Sequence, residues 1–328
     1  MNAPAEPTAR LLADVGGTNA RFAWQAGAGA PIGDVITLPC ADFPSLADAI
    51  TTYLERLGRA APAACAIAIA NPVTGDQVKM TNHHWSFSIA ALRQQFGFAR
   101  LRVLNDFTAL ALALPALLPD ELRQVGGEAA VADAAIALIG PGTGLGVSGL
   151  VPTGSGAWAP LQGEGGHVTL AGCTPREQAV LNLIATRYGH ASAERAVCGQ
   201  GLVDIHLALQ ALDAPQTVPV AVDAAGITQG ALQDDEPRCI EAVNLFCAFL
   251  GTAAGNLALT LGSLGGVYIG GGIVPRLGAF FAASPFRERF EAKGRFRPLL
   301  ARMPVWVIAA EQSPALRGAA NALDAGGG

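Results

Sequence analysis

The sequence predicts an α/β protein in which helices cover the sheets, and three observations lead there. Short apolar runs stopped by glycine or proline recur at residues 11–15, 66–70, 101–104, 135–139, 267–269 and 305–309, each with the length of a buried strand. Longer amphipathic or apolar stretches with capping residues lie between them, and this alternation is the pattern of sheets packed under helices. Third, one strand enters a Gly/Thr turn near residue 16 and another does so near residue 142, and a second β-like segment follows each turn. That repeated plan suggests two similar lobes, each offering a turn to one ligand. The unequal lengths between the turns leave a true internal duplication open.

Taken in order, residues 1–10 read as an extension. The strand 11–15 turns through Gly16-Gly17-Thr18-Asn19, and 21–24 is its returning partner in a hairpin. Ser45 and Asp48 make a capping box ahead of an amphipathic helix that ends near Leu57. Asn71-Pro72 stops the strand 66–70, and Ser88 is placed to cap a helix running towards Phe96. The strand 101–104 delivers Asn105 and Asp106 at its C-terminal end, and 108–118 is helical in composition until its prolines. The strand 135–139 runs into the glycine-rich residues 140–146, with 147–151 and 158–161 as antiparallel partners. Residues 177–188 and 240–260 are the clearest later helices. The strand 305–309 and a helix over 314–323 close the chain.

Composition removes several classes of function. Apolar residues make up 51% of the 328, enough to bury a sizeable core. The formal net charge is -5 and the only lysines are Lys79 and Lys293, so no basic tract marks a nucleic-acid surface. The six cysteines form no CxxC pair and no secretory pattern opens the chain, which fits a reduced, cytoplasmic compartment. Residues 242–275 carry no charge and are long enough to span a bilayer. Asn244, Gly251, Gly255, Asn256 and the glycines from 262 to 272 interrupt them, so a core helix followed by a buried strand is expected, with no membrane span.

Two turns suit anions. In the first, Gly16 and Gly17 remove side-chain bulk, so their amides and the Thr18 hydroxyl can donate to phosphate oxygens. Asp14 beside them repels phosphate unless Mg2+ or its hydration shell lies between; the alternative is a plain hairpin turn capped by Asp14. Residues 140–146 form the second, a flexible turn or an anion nest. Neither lysine completes a Walker A loop, and the GxGxxG match at Gly144, Gly146 and Gly149 opens no convincing helix. Asp106 at a strand end is either a base that takes a hydroxyl proton or a cap for the following helix. Glu164 and His167, three apart in a glycine-rich turn, either converge on a polyol or hold the turn together; a zinc site lacks a third ligand. Glu194, after Ser192, is by itself no more than part of a capped helix start.

Together these segments resemble the bacterial glucokinase family of the hexokinase–actin ATPase superfamily. The marks run from Leu11 to about Gly318: DVGGTNAR at 14–21, NPVTGD at 71–76, TNHHWSFS at 81–88, NDFTA at 105–109, GPGTGLG at 140–146, GEGGH at 163–167, SAER at 192–195, GGVYIGGGI at 265–273 and KGRF at 293–296. The resemblance implies a two-lobed hexokinase/actin-like (ribonuclease H-like) ATPase fold with mixed sheets flanked by helices and a cleft between the lobes. It implies a small lobe of residues 1–112 completed by 308–328, a large lobe of 113–307, and a homodimer.

By the same resemblance, ATP is held by Asp14, Gly16, Gly17, Thr18, Asn19, Gly140, Gly142, Thr143, Gly144, Gly271 and Gly272. Asp14 serves Mg2+, directly or through water. D-glucose is bound by Asn105, Asp106, Glu164, His167 and Glu194, and Asp106 matches the catalytic base. The expected reaction is transfer of the γ-phosphoryl group to the sugar's 6-hydroxyl. A kinase for another hexose, a noncatalytic sugar-binding regulator and an actin-like structural ATPase are the alternatives. Retention of Asp106 and the lack of a cysteine-rich zinc motif after His167 favour the enzyme.

Overall fold

The computed structural model describes residues 8–81, 83–154, 156–310 and 313–325. Residues 1–7 of the expected extension, and Asn82 of the TNHHWSFS motif, lie outside the described residues. Two compact units emerge, one running to Leu118 and resuming at Ala310, the other formed by Pro119–Ala309.

The first unit holds a five-stranded sheet built from β1 (Arg10–Val15), β2 (Asn19–Gln25), β3 (Ile32–Pro39), β4 (Ala64–Ile69) and β7 (Arg100–Asn105), with β5 (Gln77–Lys79) and β6 (Ser86–Ser88) as a separate hairpin. The order is β3-β2-β1-β4-β7. β1, β2 and β3 are antiparallel neighbours, while β4 and β7 run parallel to β1. The run Leu11-Leu12-Ala13 is continuously apolar because both faces of β1 are covered. Leu11, Ala13 and Val15 share a core with Ala49, Ile50 and Tyr53 of the helix Leu46–Leu57. On the other face Leu12 meets Leu316, Ala319 and Leu323 of the closing helix Ala315–Asp324.

The second unit holds β8 (Leu122–Gln124), β9 (Ile136–Pro141), β10 (Leu145–Gly154), β11 (Ala157–Leu161), β12 (Val267–Ile269) and β13 (Val305–Ile308) in the order β11-β10-β9-β12-β13-β8. Apart from the added β8, this repeats the first sheet strand for strand: an antiparallel meander of three, then two parallel additions. The repeated plan seen at the two Gly/Thr turns therefore extends to whole sheets. The charge-free stretch is a core helix, Pro237–Leu261, whose Phe246, Cys247, Phe249 and Leu250 are buried with Ile139 and Ile269, followed by β12. The unit's own core covers this apolar run.

Capping follows the sequence closely. The Ser45 hydroxyl accepts the Asp48 amide and the Ser88 hydroxyl accepts the Ala91 amide, starting the helices Leu46–Leu57 and Ile89–Phe96. The helix expected over 108–118 is shorter and earlier. It spans Asp106–Ala113 and tightens into a 3-10 turn, Leu114–Ala116, because Pro115 ends the α-helical bonding. The helix Gly199–Asp213 has no serine or aspartate at its start; the Cys198 sulfur accepts the Gly201 amide instead, at 3.3 Å.

Candidate active site

In the first unit the β1–β2 turn and the end of β7 carry the predicted groups. The turn closes through Gly16 N–H donating to Asn19 O (2.9 Å), and Thr18 O accepts from Cys40 N (2.8 Å). Among the described residues the amides of Gly17 and Thr18 meet no protein acceptor, so both are available to an anion. Asp14, one residue before the strand end, has one oxygen occupied. Its Oδ2 accepts the Ser313 hydroxyl at 2.6 Å and lies 3.5 Å from Arg21 Nη1, the cross-strand neighbour.

Asn105, the last residue of β7, is the helix cap; Asp106, the residue expected to cap the helix if it were not a base, is instead its first helical residue. Asn105 Oδ1 accepts the amides of Phe107 (2.9 Å) and Thr108 (3.2 Å). Its Nδ2 donates to Asp106 Oδ1 (3.0 Å) and reaches Asn71 O at 3.5 Å. Asp106, the first residue of the helix, is thereby held by a neighbour and by the Phe107 amide. The closing helix holds that helix in turn. Gly318 lies so close to Ala109 that a Cβ would overlap the Ala109 carbonyl, and Asn321 Nδ2 donates to Leu112 O at 2.8 Å.

These contacts set the acidity of Asp106. Burial pushes its carboxyl up to about 6; the Phe107 amide pulls it down, and the charge of Asp14 adds to the rise. A helix N-terminus and two donors favour the anion, but loss of hydration outweighs them. The result is a carboxyl that is ionised at neutral pH and still basic enough to take a proton.

In the second unit, residues 140–146 form the turn between β9 and β10. Gly142 N donates to Gly144 O at 2.8 Å, and among the described residues the Thr143 and Gly144 amides meet no protein acceptor. Gly270 N donates to Ile139 O (2.9 Å), so the glycines after β12 lie alongside this turn. Gly271 has φ 78° and packs on the Pro141 carbonyl, which leaves no room for a side chain. Gly140, Gly142, Thr143, Gly144, Gly271 and Gly272 therefore surround the ends of two neighbouring strands.

The GEGGH segment is a 3-10 turn, Gly165–His167, closed by His167 N donating to Glu164 O at 3.0 Å. Gly165 and Gly166 sit against Val147 and the Leu145 carbonyl, so both glycines are required for the turn to lie on β10. The exposed His167 ring faces Glu194 rather than Glu164, with Nε2 4.0 Å from Glu194 Oε1. Glu194 Oε2 accepts the Leu145 amide at 2.9 Å. Ser192 caps the short helix Ala193–Ala196, and Ala193 N donates to Val168 O (2.9 Å), aligning SAER with GEGGH. The Glu164 carboxylate is exposed.

Asn71, Arg21 and Ser313 belong to this picture and were not singled out as site residues. Asn71 had a signal in the NPVTGD motif: its Oδ1 accepts both the amide (3.0 Å) and hydroxyl (2.9 Å) of Thr81 while its carbonyl faces Asn105. Ser313 had none, since its partner Asp14 lies 299 residues away.

A family model described as Glucokinase matches residues 11–325. The chain is 57% identical over 318 residues to a glucokinase of Aromatoleum aromaticum, covering 96% of this chain and 94% of that one. It is 54% identical over 314 residues to a glucokinase of Chromobacterium violaceum, covering 96% and 89%. Its structure is similar to the crystal structure of a glucokinase from an Antarctic psychrotroph, with a TM-score of 0.88, 36% identity and coverage of 97% and 99%.

Proposed function

We propose that this chain, which belongs to the glucokinase family, transfers the γ-phosphoryl group of ATP to the 6-hydroxyl of D-glucose, giving glucose 6-phosphate and ADP. The observation that carries the chemistry is Asp106, a carboxyl with its pKa at about 6, fixed at a strand end by Asn105 and the Phe107 amide. Asp106 orients the 6-hydroxyl and takes its proton as the phosphoryl group arrives; Asn105, Glu164, His167 and Glu194 take the remaining hydroxyls. A sugar supplies many hydroxyls at fixed spacing, and water supplies none beyond the attacking oxygen, so these side chains favour the sugar as acceptor.

The turn amides of Gly17, Thr18, Thr143 and Gly144 suit the nucleotide's phosphates. Mg2+ fits Asp14. One carboxylate with an oxygen left over from Ser313 and Arg21 matches an ion that keeps several waters and takes one or two protein carboxylates beside phosphates. When bound, the ion would neutralise charge on the transferring phosphoryl group.

A cytoplasmic location agrees with the ATP requirement and with six free thiols. The homodimer rests on family likeness and is checked by light scattering of the purified chain. The test of the function is ADP release across D-glucose, D-mannose and D-glucosamine, with product identified by NMR. Glucose should give the highest kcat/KM and phosphate on O6; faster turnover of another hexose would reassign the substrate.

A further inference from the structure

We propose that Glu194 positions the 140–146 turn in addition to binding sugar, so that one carboxylate ties the sugar subsite to the phosphate subsite of the second unit. The identity of the two ligands rests on the kinase assignment above. The two oxygens of Glu194 are divided between tasks. Oε2 accepts the Leu145 amide at 2.9 Å, at the point where the turn re-enters β10. Oε1 faces the His167 ring at 4.0 Å, on the side where sugar hydroxyls would come. A second bond, from Gly199 N to Gly142 O at 3.0 Å, fastens the segment after Glu194 to the opposite side of the same turn.

Gly144 supplies an independent observation. Its φ is not positive, so an alanine there would meet no backbone strain. A Cβ at Gly144 would instead overlap Glu194 Oε2 and lie 3.2 Å from the carboxylate carbon. The glycine makes room for the carboxylate as well as for an anion. Ser192 caps the short helix and Ala193 is bonded to Val168, so the backbone of Glu194 is held and a methyl at 144 would swing the carboxylate aside. A carboxylate held by the turn on one oxygen and by sugar on the other is a direct physical link between the subsites. Such a link is reciprocal between ligands: whatever factor glucose applies to nucleotide affinity through this carboxylate, nucleotide applies to glucose.

Calorimetric titration of the full chain tests this with D-glucose in the absence of nucleotide, and with MgADP in the absence of sugar. Glu194→Ala should weaken both ligands, MgADP by on the order of 10-fold. Glu194→Gln, whose amide oxygen can still accept from Leu145, should weaken glucose and leave MgADP at the wild-type affinity. Gly144→Ala, although it lies in the phosphate turn, should weaken glucose by on the order of 10-fold, since its methyl displaces Glu194. Circular dichroism verifies that each variant is folded. Wild-type MgADP affinity in folded Glu194→Ala, or wild-type glucose affinity in folded Gly144→Ala, would overturn the link. A wild-type chain that binds neither ligand would overturn the kinase assignment itself, a distinguishable failure.

Discussion

Asp106 is predicted to weaken the fold that carries it, and Asp106→Asn separates the two effects. The folded carboxyl has its pKa at about 6, whereas an ordinary aspartate sits at 3.8. Below pH 3.8 the group is neutral in both folded and unfolded chains and costs nothing. Between 3.8 and 6 the unfolded chain ionises first, so stability is lost as pH rises through this window. Above 6 the cost is complete, and the gap corresponds to at most roughly 3 kcal/mol.

An amide of the same shape cannot ionise. Its oxygen can still accept from Asn105 and Phe107, as Asp106 Oδ1 now does. The variant should therefore be more stable than wild type by up to about 3 kcal/mol at pH 7.5, with the difference shrinking towards zero near pH 4. Its turnover should fall about 10^2 to 10^4-fold, the usual worth of a general base. Urea unfolding at the two pH values, alongside ADP release at pH 7.5, reads both quantities. A variant no more stable than wild type at pH 7.5 would refute the burial argument. Near-normal turnover would refute the catalytic role.

The wild-type kcat/KM for glucose should show an acid limb with an apparent pKa near 6, falling to about a tenth of its plateau at pH 5; a flat profile from pH 5 to 8 would remove Asp106 as the base. Arg289→Ala should cost about 3–5 kcal/mol in urea unfolding, because Glu177 is 3% exposed and both its oxygens bond that guanidinium, at 2.7 and 2.8 Å. Adding Glu177→Leu should recover much of that loss, and no recovery would argue that packing, not the unpaired charge, sets the penalty. Gly166→Ala should raise the KM for glucose, since a methyl there collides with the Leu145 carbonyl and lifts His167 off β10; an unchanged KM would count against the turn as a sugar-binding element.

Much of this was legible because the informative signals were local. A strand running into glycines and threonine marked both hairpin turns, and Ser45 and Ser88 marked two helix starts. The ends of β7 and β9 were readable for the same reason: apolar runs stop where polar or glycine residues begin. The helix Gly199–Asp213 was not legible, because a cysteine sulfur does the work that serine or aspartate usually does. Long-range pairings were invisible for a different reason. Nothing near Glu194 shows that its carboxylate holds an amide 49 residues earlier, and nothing near Asp14 points to Ser313. Such contacts exist only after the strands have paired, so they belong to topology and not to composition. The matching strand order of the two sheets belongs there too, since the linking segments differ in length and hide the repeat.

The most direct measurement is ADP release by the purified chain with MgATP, with and without D-glucose, scored together with the sugar product. Release that depends on glucose and matches glucose 6-phosphate mole for mole is the predicted result. Equal release without sugar, or none with it, would contradict the assignment of Asp106 and the two glycine turns to phosphoryl transfer onto a sugar.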